Sequence, residues 1–214
     1  MDTASVGVHV EADRVEAGRV EAARVEAARI KTIRGEAVHV EIAECETPAG
    51  AITLAVRDGR VCGLVFSDRW AGMERWLERR FGGMRTSRAA DPAKAVSRLR
   101  AYLRGEFEAL DDIEVDTGGT PFQQTVWTAL RRIPPGRTMS YGELARVVGT
   151  PSASRAVGAA NGANPVSIVI PCHRVIGSNG KLTGYGGGMP RKRWLLAHEG
   201  VRVEAVAVGL PLGD

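Results

Sequence analysis

The chain has 214 residues, 44% of them hydrophobic and 25% charged, a composition that suits a soluble globular protein with one large domain or two small ones. Three cysteines (Cys45, Cys62 and Cys172) and four histidines, with no CxxC pair, argue against a disulfide framework or a zinc site. No run of eighteen apolar residues offers a membrane span, and the charged N-terminal stretch lacks the apolar core of a signal peptide, so a cytosolic protein is expected.

Charge is unevenly spread. Residues 119–214 hold eleven Lys/Arg against four Asp/Glu, a balance of +7, and residues 1–118 hold eighteen against twenty-one, a balance of −3. A basic half of this kind suits a polyanionic partner such as nucleic acid.

Residues 10–34 repeat with period five: VEADR, VEAGR, VEAAR, VEAAR, IKTIR. That period scatters Val10, Val15, Val20 and Val25 around a helix axis and builds no apolar face. Glu-to-Arg pairs three apart favour a solvated helix only weakly, so residues 1–37 read as a low-complexity extension without chemistry. From Val38 the texture changes. Val38–Cys45, Ala51–Val56 and Val61–Phe66 read as strands separated by Thr47-Pro48-Ala49-Gly50 and Arg57-Asp58-Gly59-Arg60, which is an antiparallel meander. Helices are expected at Arg69–Phe81 and Pro92–Leu103, then a short strand around Ile113–Val115. No catalytic cluster precedes residue 119, and residues 38–118 read as a scaffold domain.

Residues 119–200 carry strong helix signals. Thr120-Pro121 opens an amphipathic helix with Phe122, Val126, Trp127 and Leu130. Ser140-Tyr141-Gly142-Glu143 is a capping box, and Thr150-Pro151 is expected to start a second short helix over Ser152–Asn161. Two short helices joined by Gly149-Thr150-Pro151 fit a helix-turn-helix, although many such corners bind nothing. The outward positions expected for the second helix, Ala153, Ser154, Ala156 and Gly158, are tiny and surround one long residue, Arg155. Small residues permit the backbone to approach the minor groove, and one arginine is long enough to hold the space of an extruded base. Packing of the alanines against a neighbouring helix is the alternative.

Next comes Ile168-Val169-Ile170-Pro171-Cys172-His173-Arg174, a β-branched run patterned as a buried strand and stopped by proline. A thiol is a useful nucleophile as thiolate, favoured by positive charge or a basic partner. Adjacent side chains of a strand point to opposite faces, so His173 reaches Cys172 only if the chain turns at Pro171 or a water carries the proton. Taken alone, the dipeptide also fits an inert buried cysteine. Gly184-Tyr185-Gly186-Gly187-Gly188 allows close backbone approach to a flat ligand, with Tyr185 as a lid. Pro190 begins a last helix over Arg191–His198, and Glu199 is placed to orient a histidine. Residues 201–214 read as a tail.

Four stretches, PFQQTVWTALRRIPPGRTMSYGELA, SRAVGAANGANP, IVIPCHRVIGSNGKLTGYGGG and RKRWLLAHEG, resemble the methylated-DNA–protein-cysteine methyltransferases, which repair guanine alkylated at O6. Residues 38–118 resemble that family's N-terminal domain more weakly. The resemblance implies an α+β protein: a ribonuclease H-like β-sheet domain, then a mainly helical domain with a helix-turn-helix and the active-site cysteine. It implies that Cys172 accepts the alkyl group, that His173 takes the thiol proton through a water, and that Glu199 fixes His173. Asn164 supports the turn, Tyr141 donates toward N3 of the flipped guanine, Arg155 replaces that base in the duplex, and Tyr185 lines the pocket. The implied partner is double-stranded DNA bound through the minor groove by a monomer, without cofactor or metal, in the cytoplasm on the nucleoid. Ser167 and Gly186 stand where some members carry proline and serine.

The implied reaction is a single transfer per molecule from O6 of guanine, or O4 of thymine, to a sulfur expected to be ionised at neutral pH. One rival is a lesion binder of the same family that flips the base without repair, but such proteins lack the acceptor cysteine. A helix-turn-helix regulator with a redox-sensing cysteine would need major-groove contacts that the alanine-rich helix does not offer. A cysteine hydrolase would need a histidine from elsewhere, with His9, His39 and His198 as candidates.

Overall fold

The structure, a computed structural model, describes residues 37–202. The repeats at 10–34 and residues 203–214 of the tail lie outside the described residues, as does His9. Contacts divide the described chain into residues 37–39 with 76–85, and residues 40–75 with 86–202. In the first unit, the end of helix α1 (Trp70–Phe81) leads into Gly82 and Gly83, and the Gly83 carbonyl accepts a bond from Val38 N–H at 3.3 Å. The Arg80 guanidinium lies over the rings of Trp76 and Phe81, 5.5 and 4.9 Å from their centroids.

The second unit holds most of the sheet. Strands β1 (Val38–Cys45), β2 (Ile52–Arg57) and β3 (Arg60–Phe66) form the expected meander, in the order β3-β2-β1-β4 with β4 at Met84–Arg88. Asp58 and Gly59, both at positive φ, make the two-residue turn between Arg57 and Arg60, the backbone that a twisted hairpin favours. Strand β4 was not anticipated, because MRTSR is polar on both faces and shows no alternation.

The far side of β3 is the fold's main joint. Val61 N–H donates to the Glu114 carbonyl and Asp116 N–H to the Val61 carbonyl, both at 2.9 Å. The strand expected at Ile113–Val115 is thus reduced to a single bridge, Val61 to Val115. Further along, Leu64 N–H donates to the Pro165 carbonyl and Ser167 N–H to the Leu64 carbonyl, again at 2.9 Å. One apolar core runs through this unit, from Ala43 and Leu54 to Leu144, Val157 and Leu195.

Helix α2 (Ala95–Leu103) starts later than expected. Pro92–Lys94 is a separate 3-10 turn with Ala93 and Lys94 at positive φ. The cap comes from Asp91, whose Oδ1 accepts Val96 N–H at 2.8 Å and Ser97 N–H at 3.1 Å. Helix α3 (Pro121–Arg131) and helix α4 (Tyr141–Val147) both open with complete capping boxes, Thr120 with Gln123 and Ser140 with Glu143. Helix α5 (Ser154–Gly162) does not start at Thr150-Pro151: those residues stay in the turn, and Ala153 is its N-cap. Helix α6 spans Met189–His198. No helix of the described residues is long and apolar enough to cross a membrane.

The run Ile168–Ile170 is buried but is not a strand. Ile168 has φ 71, in the left-handed region that β-branched residues avoid. Ile170 N–H turns back to the Val166 carbonyl at 3.0 Å. Hydrophobicity reports burial and does not distinguish a strand from a tight buried loop; here the anchoring of residues 165–167 on β3 leaves too little chain to run straight.

Gly119, at φ 81, sits where an added Cβ would lie 2.6 Å from the Trp127 ring. That ring is buried and held by its Nε1–H on the Ala160 carbonyl at 2.8 Å. Gly119→Ala is expected to lower unfolding stability by about 2–3 kcal/mol through backbone strain and overpacking. An unchanged urea midpoint would mean that the indole gives way freely.

Candidate active site

One short strand pairing flanks the active-site turn. Strands β5 (Met139–Ser140) and β6 (Val175–Ile176) lie parallel, Met139 opposite Val175 and Ser140 opposite Ile176. Tyr141 follows β5 at the C-terminal end of the pair, and Cys172 precedes β6 by three residues, beyond its N-terminal end. Pro171, at φ −80 and ψ 61, forms an inverse γ-turn in which Cys172 N–H donates to the Ile170 carbonyl at 2.8 Å. The chain therefore turns at the proline, and Cys172–Arg174 is a 3-10 turn. Asn164 braces the loop from within: its Nδ2 donates to the Ile170 carbonyl at 2.8 Å and its Oδ1 accepts Val166 N–H at 3.0 Å.

Cys172 is 5% exposed. Burial pushes its thiol above the ordinary value, while Asn164, Lys192 and the backbone N–H groups of Cys172 and His173 work in the opposite sense. The expectation of a resting thiolate is thereby corrected: desolvation outweighs the positive groups, and the sulfur rests protonated.

His173 is fully buried, and burial holds its imidazole below the ordinary 6.5, against the opposing pull of Glu199. Its Nε2 lies 3.0 Å from Glu199 Oε1. Glu199, lowered to about 2 by hydrogen bonds from His173 and Arg174 that overcome its burial, is an acceptor only. Nε2 therefore carries the hydrogen, and Nδ1 keeps its lone pair. Nδ1 is buried and has no hydrogen-bond partner among the described residues.

In the sequence Arg174 stands two positions after Cys172, where positive charge would favour a thiolate. Instead it turns to Glu199, donating from Nε to Oε2 and from Nη2 to Oε1, both at 2.8 Å, and to the Ile133 carbonyl from Nη1. Two further residues went unnoticed in the sequence. Tyr102, from α2, donates its hydroxyl to Glu199 Oε1 at 2.8 Å. Lys192 is fully buried, and its Nζ donates to the carbonyls of Val175 at 2.6 Å and Thr183 at 2.9 Å. Burial lowers it to about 8, partly offset by Cys172. Neither position has a sequence signal: Tyr102 sits in an apolar helical pattern, and Lys192 in a basic stretch that reads as a solvated helix start.

Of the remaining expected residues, Tyr185 lies beside this group. Tyr185 faces His173 edge-on with ring centroids 6.5 Å apart, and burial and the neighbouring thiol push its phenol well above the usual range. A Cβ on Gly187 would stand 2.6 Å from the Tyr185 ring and 2.9 Å from Phe66, so only glycine fits there. Tyr141 is half-buried and lies against Gly158, with its hydroxyl 3.4 Å from Thr183 Oγ1. On α5, Ser154, Arg155 and Ala156 are exposed as expected, but Ala153 and Gly158 are half-buried, Gly158 beneath the Tyr141 ring. His198 is turned elsewhere: it stacks on Trp194 at 4.9 Å, and its Nε2 lies 2.9 Å from the Tyr102 carbonyl.

Glu199 ties stability to pH. Its folded pKa of about 2 lies below the unperturbed 4.5, so its stabilising share is complete above pH 4.5 and is lost as pH falls toward 2. At 1.36 kcal/mol per unit this amounts to roughly 3 kcal/mol. Unfolding stability is expected to fall by that order between pH 5 and pH 2 in urea titrations, and to fall less steeply in Glu199→Gln.

Residues 121–201 match the family model for the DNA-binding domain of 6-O-methylguanine DNA methyltransferase. The methylated-DNA–protein-cysteine methyltransferase of Salmonella typhimurium is 60% identical over 112 residues, 52% of this chain and 66% of that protein. Its counterpart in Mycolicibacterium paratuberculosis is 47% identical over 163 residues, 75% of this chain and 92% of that protein. The crystal structure of Mycobacterium tuberculosis OGT in complex with DNA superposes with a TM-score of 0.61 at 41% identity, covering 76% of this chain and 93% of that one.

Proposed function

The chain belongs to the methylated-DNA–protein-cysteine methyltransferases, and from that premise we propose that it repairs DNA by direct reversal, moving an alkyl group from O6 of guanine, or O4 of thymine, to Cys172. The observation that carries this reading is the open lone pair on His173 Nδ1, in a cluster where the carboxylate beyond it is already saturated.

The reaction begins with a neutral thiol and a neutral imidazole. The Cys172 proton passes to His173 Nδ1 through one water, and the imidazolium is stabilised by Glu199. The sulfur lone pair attacks the alkyl carbon, the carbon–O6 bond breaks, and its electrons flow into the purine. Tyr141 gives its hydroxyl proton to N3, which makes the base a better leaving group. Tyr141 then regains a proton from solvent and the imidazolium releases one, so guanine and a neutral thioether remain. No group beside Cys172 can displace that sulfur, and each molecule acts once.

Residues 38–118 form the ribonuclease H-like scaffold domain in this reading, and residues 119–200 the domain that binds DNA. Helices α4 and α5 act as a helix-turn-helix, with Ala153, Ser154, Ala156 and Gly158 giving close approach to the minor groove. Arg155 fills the stack after the base swings out, and Tyr185 closes over that base with the glycine loop. The protein works as a monomer on duplex DNA and without a cofactor. The lesion-binder alternative fails on Cys172, which supplies the acceptor that such a protein lacks.

DNA carrying a labelled methyl at guanine O6 tests this directly. Label is expected on Cys172 at one methyl per protein, absent in Cys172→Ala, which still binds the DNA; label that turns over would overturn the proposal. Flipping costs a few kcal/mol, so Arg155→Ala is expected to slow duplex repair by about tenfold or more. An unchanged rate would remove Arg155 from that role. The acidic limb of the transfer rate is expected below pH 6.5, because the rate falls as pH drops through the lowered pKa of His173.

A further inference from the structure

Glu199 Oε1 receives three hydrogen bonds, from His173 Nε2 at 3.0 Å, Arg174 Nη2 at 2.8 Å and the Tyr102 hydroxyl at 2.8 Å. The first two come from the 3-10 turn that carries the thiol. The third comes from α2, 97 positions away in sequence from Glu199, in the half of the chain that otherwise reads as scaffold. Tyr102 is fully buried, with its ring edge-on to Phe107 at 5.6 Å and to His198 at 5.2 Å. Packing alone would be served by phenylalanine. Burying a hydroxyl is costly unless it is paired, and the partner here is the atom that also orients His173.

We propose that Tyr102 is a positioning residue for alkyl transfer: its hydroxyl fixes the Glu199 carboxylate and limits how strongly Oε1 attracts the His173 proton, and so sets the basicity of the imidazole that receives the thiol proton. This rests on the alkyltransferase reading. A hydrogen bond donated to a carboxylate disperses its charge and weakens its pull on every other donor. Without the Tyr102 hydroxyl, Oε1 binds imidazolium more tightly, His173 becomes more basic, and a larger fraction is already protonated at a given pH.

The groups facing this cluster separate cleanly. His173 is met by Glu199, Arg174, Lys192 and the Tyr185 ring; Glu199 by His173, Arg174 and Tyr102; Tyr102 by Glu199, Arg174, Tyr185 and His198. Lys192, near 8, Cys172 and the two phenols titrate on the alkaline side, and Glu199 near 2. His198 is the one other imidazole in this set.

The test is the first-order rate of methyl transfer within the protein–DNA complex, protein in excess, as a function of pH. Tyr102→Phe keeps the ring contacts and is expected to shift the acidic limb to higher pH. Fluorotyrosine placed at position 102 keeps the hydroxyl as a stronger donor and is expected to shift it to lower pH. A structural role alone would lower the urea midpoint and leave the limb in place. A limb unmoved in both variants, or moved the same way in both, overturns the proposal, as does a limb that vanishes in His198→Gln. If Tyr102→Phe does not fold, the fluorotyrosine protein decides. Should the unaltered protein transfer no methyl at all, the alkyltransferase reading itself falls, which is a different result from an unmoved limb.

Discussion

The buried carboxylate of Glu199 is the constraint on which the rest of the site depends. An isolated ionised carboxylate in the interior is prohibitively costly, and it is tolerated only with a charge partner and hydrogen bonds on both oxygens. Arg174 supplies the charge in a two-pronged contact, while His173 and Tyr102 complete Oε1. Remove Arg174 and the carboxylate would lose its charge partner, two hydrogen bonds and part of what holds its pKa down. The pair adds little net stability over a well-packed apolar equivalent. Its value is orientational, because it compels one tautomer of His173 and leaves a single nitrogen open.

The strand edge matters for the same reason. A thiol is placed reliably only when the backbone on either side is tied. Upstream, residues 165–167 hydrogen-bond to Leu64 on β3, and Asn164 closes the loop with both ends of its side chain. Downstream, β6 pairs with β5, and Lys192 grips the Val175 carbonyl. Between these anchors the chain makes two abrupt reversals, at Ile168 and Pro171. Unfavourable φ at a buried isoleucine costs on the order of 1–3 kcal/mol, and the surrounding bonds hold it. Asn164 thus acts through the loop as well as on the sulfur, so substitutions at that position disturb geometry and thiol basicity together.

Local signals made much of this legible in the sequence, and non-local ones hid the remainder. The helix start at Thr120-Pro121, the capping box at Ser140, the Asp58-Gly59 turn and the alternation of β1 to β3 are each encoded within a few residues, and all appear where expected. The failures share a cause. Ile168–Ile170 reads as a strand because burial is visible in composition and backbone direction is not. Asp91 was missed as a cap because two left-handed residues separate it from its helix. Cys172, His173 and Glu199 stood out through a family resemblance and their chemistry. Tyr102 could not, since its meaning lies wholly in a contact with a residue 97 positions away.

A protonated, desolvated thiol sits uneasily with the idea of a primed nucleophile, yet it suits the single transfer proposed for it. A permanent thiolate would be open to oxidation and stray alkylation throughout the life of the molecule. With burial raising the thiol and lowering His173, neutral sulfur and neutral imidazole are the resting pair, and charge separation is deferred until a substrate is in place. In the proposed transfer, the transition state spreads negative charge from sulfur into a purine that Tyr141 can protonate, and the imidazolium formed beside it meets a carboxylate already held in position. Preorganised groups of this kind stabilise developing charge without reorganising at the moment of reaction. The saturated carboxylate and the unsaturated Nδ1 are therefore two halves of one device: the first keeps the proton from travelling further, and the second gives it somewhere to go.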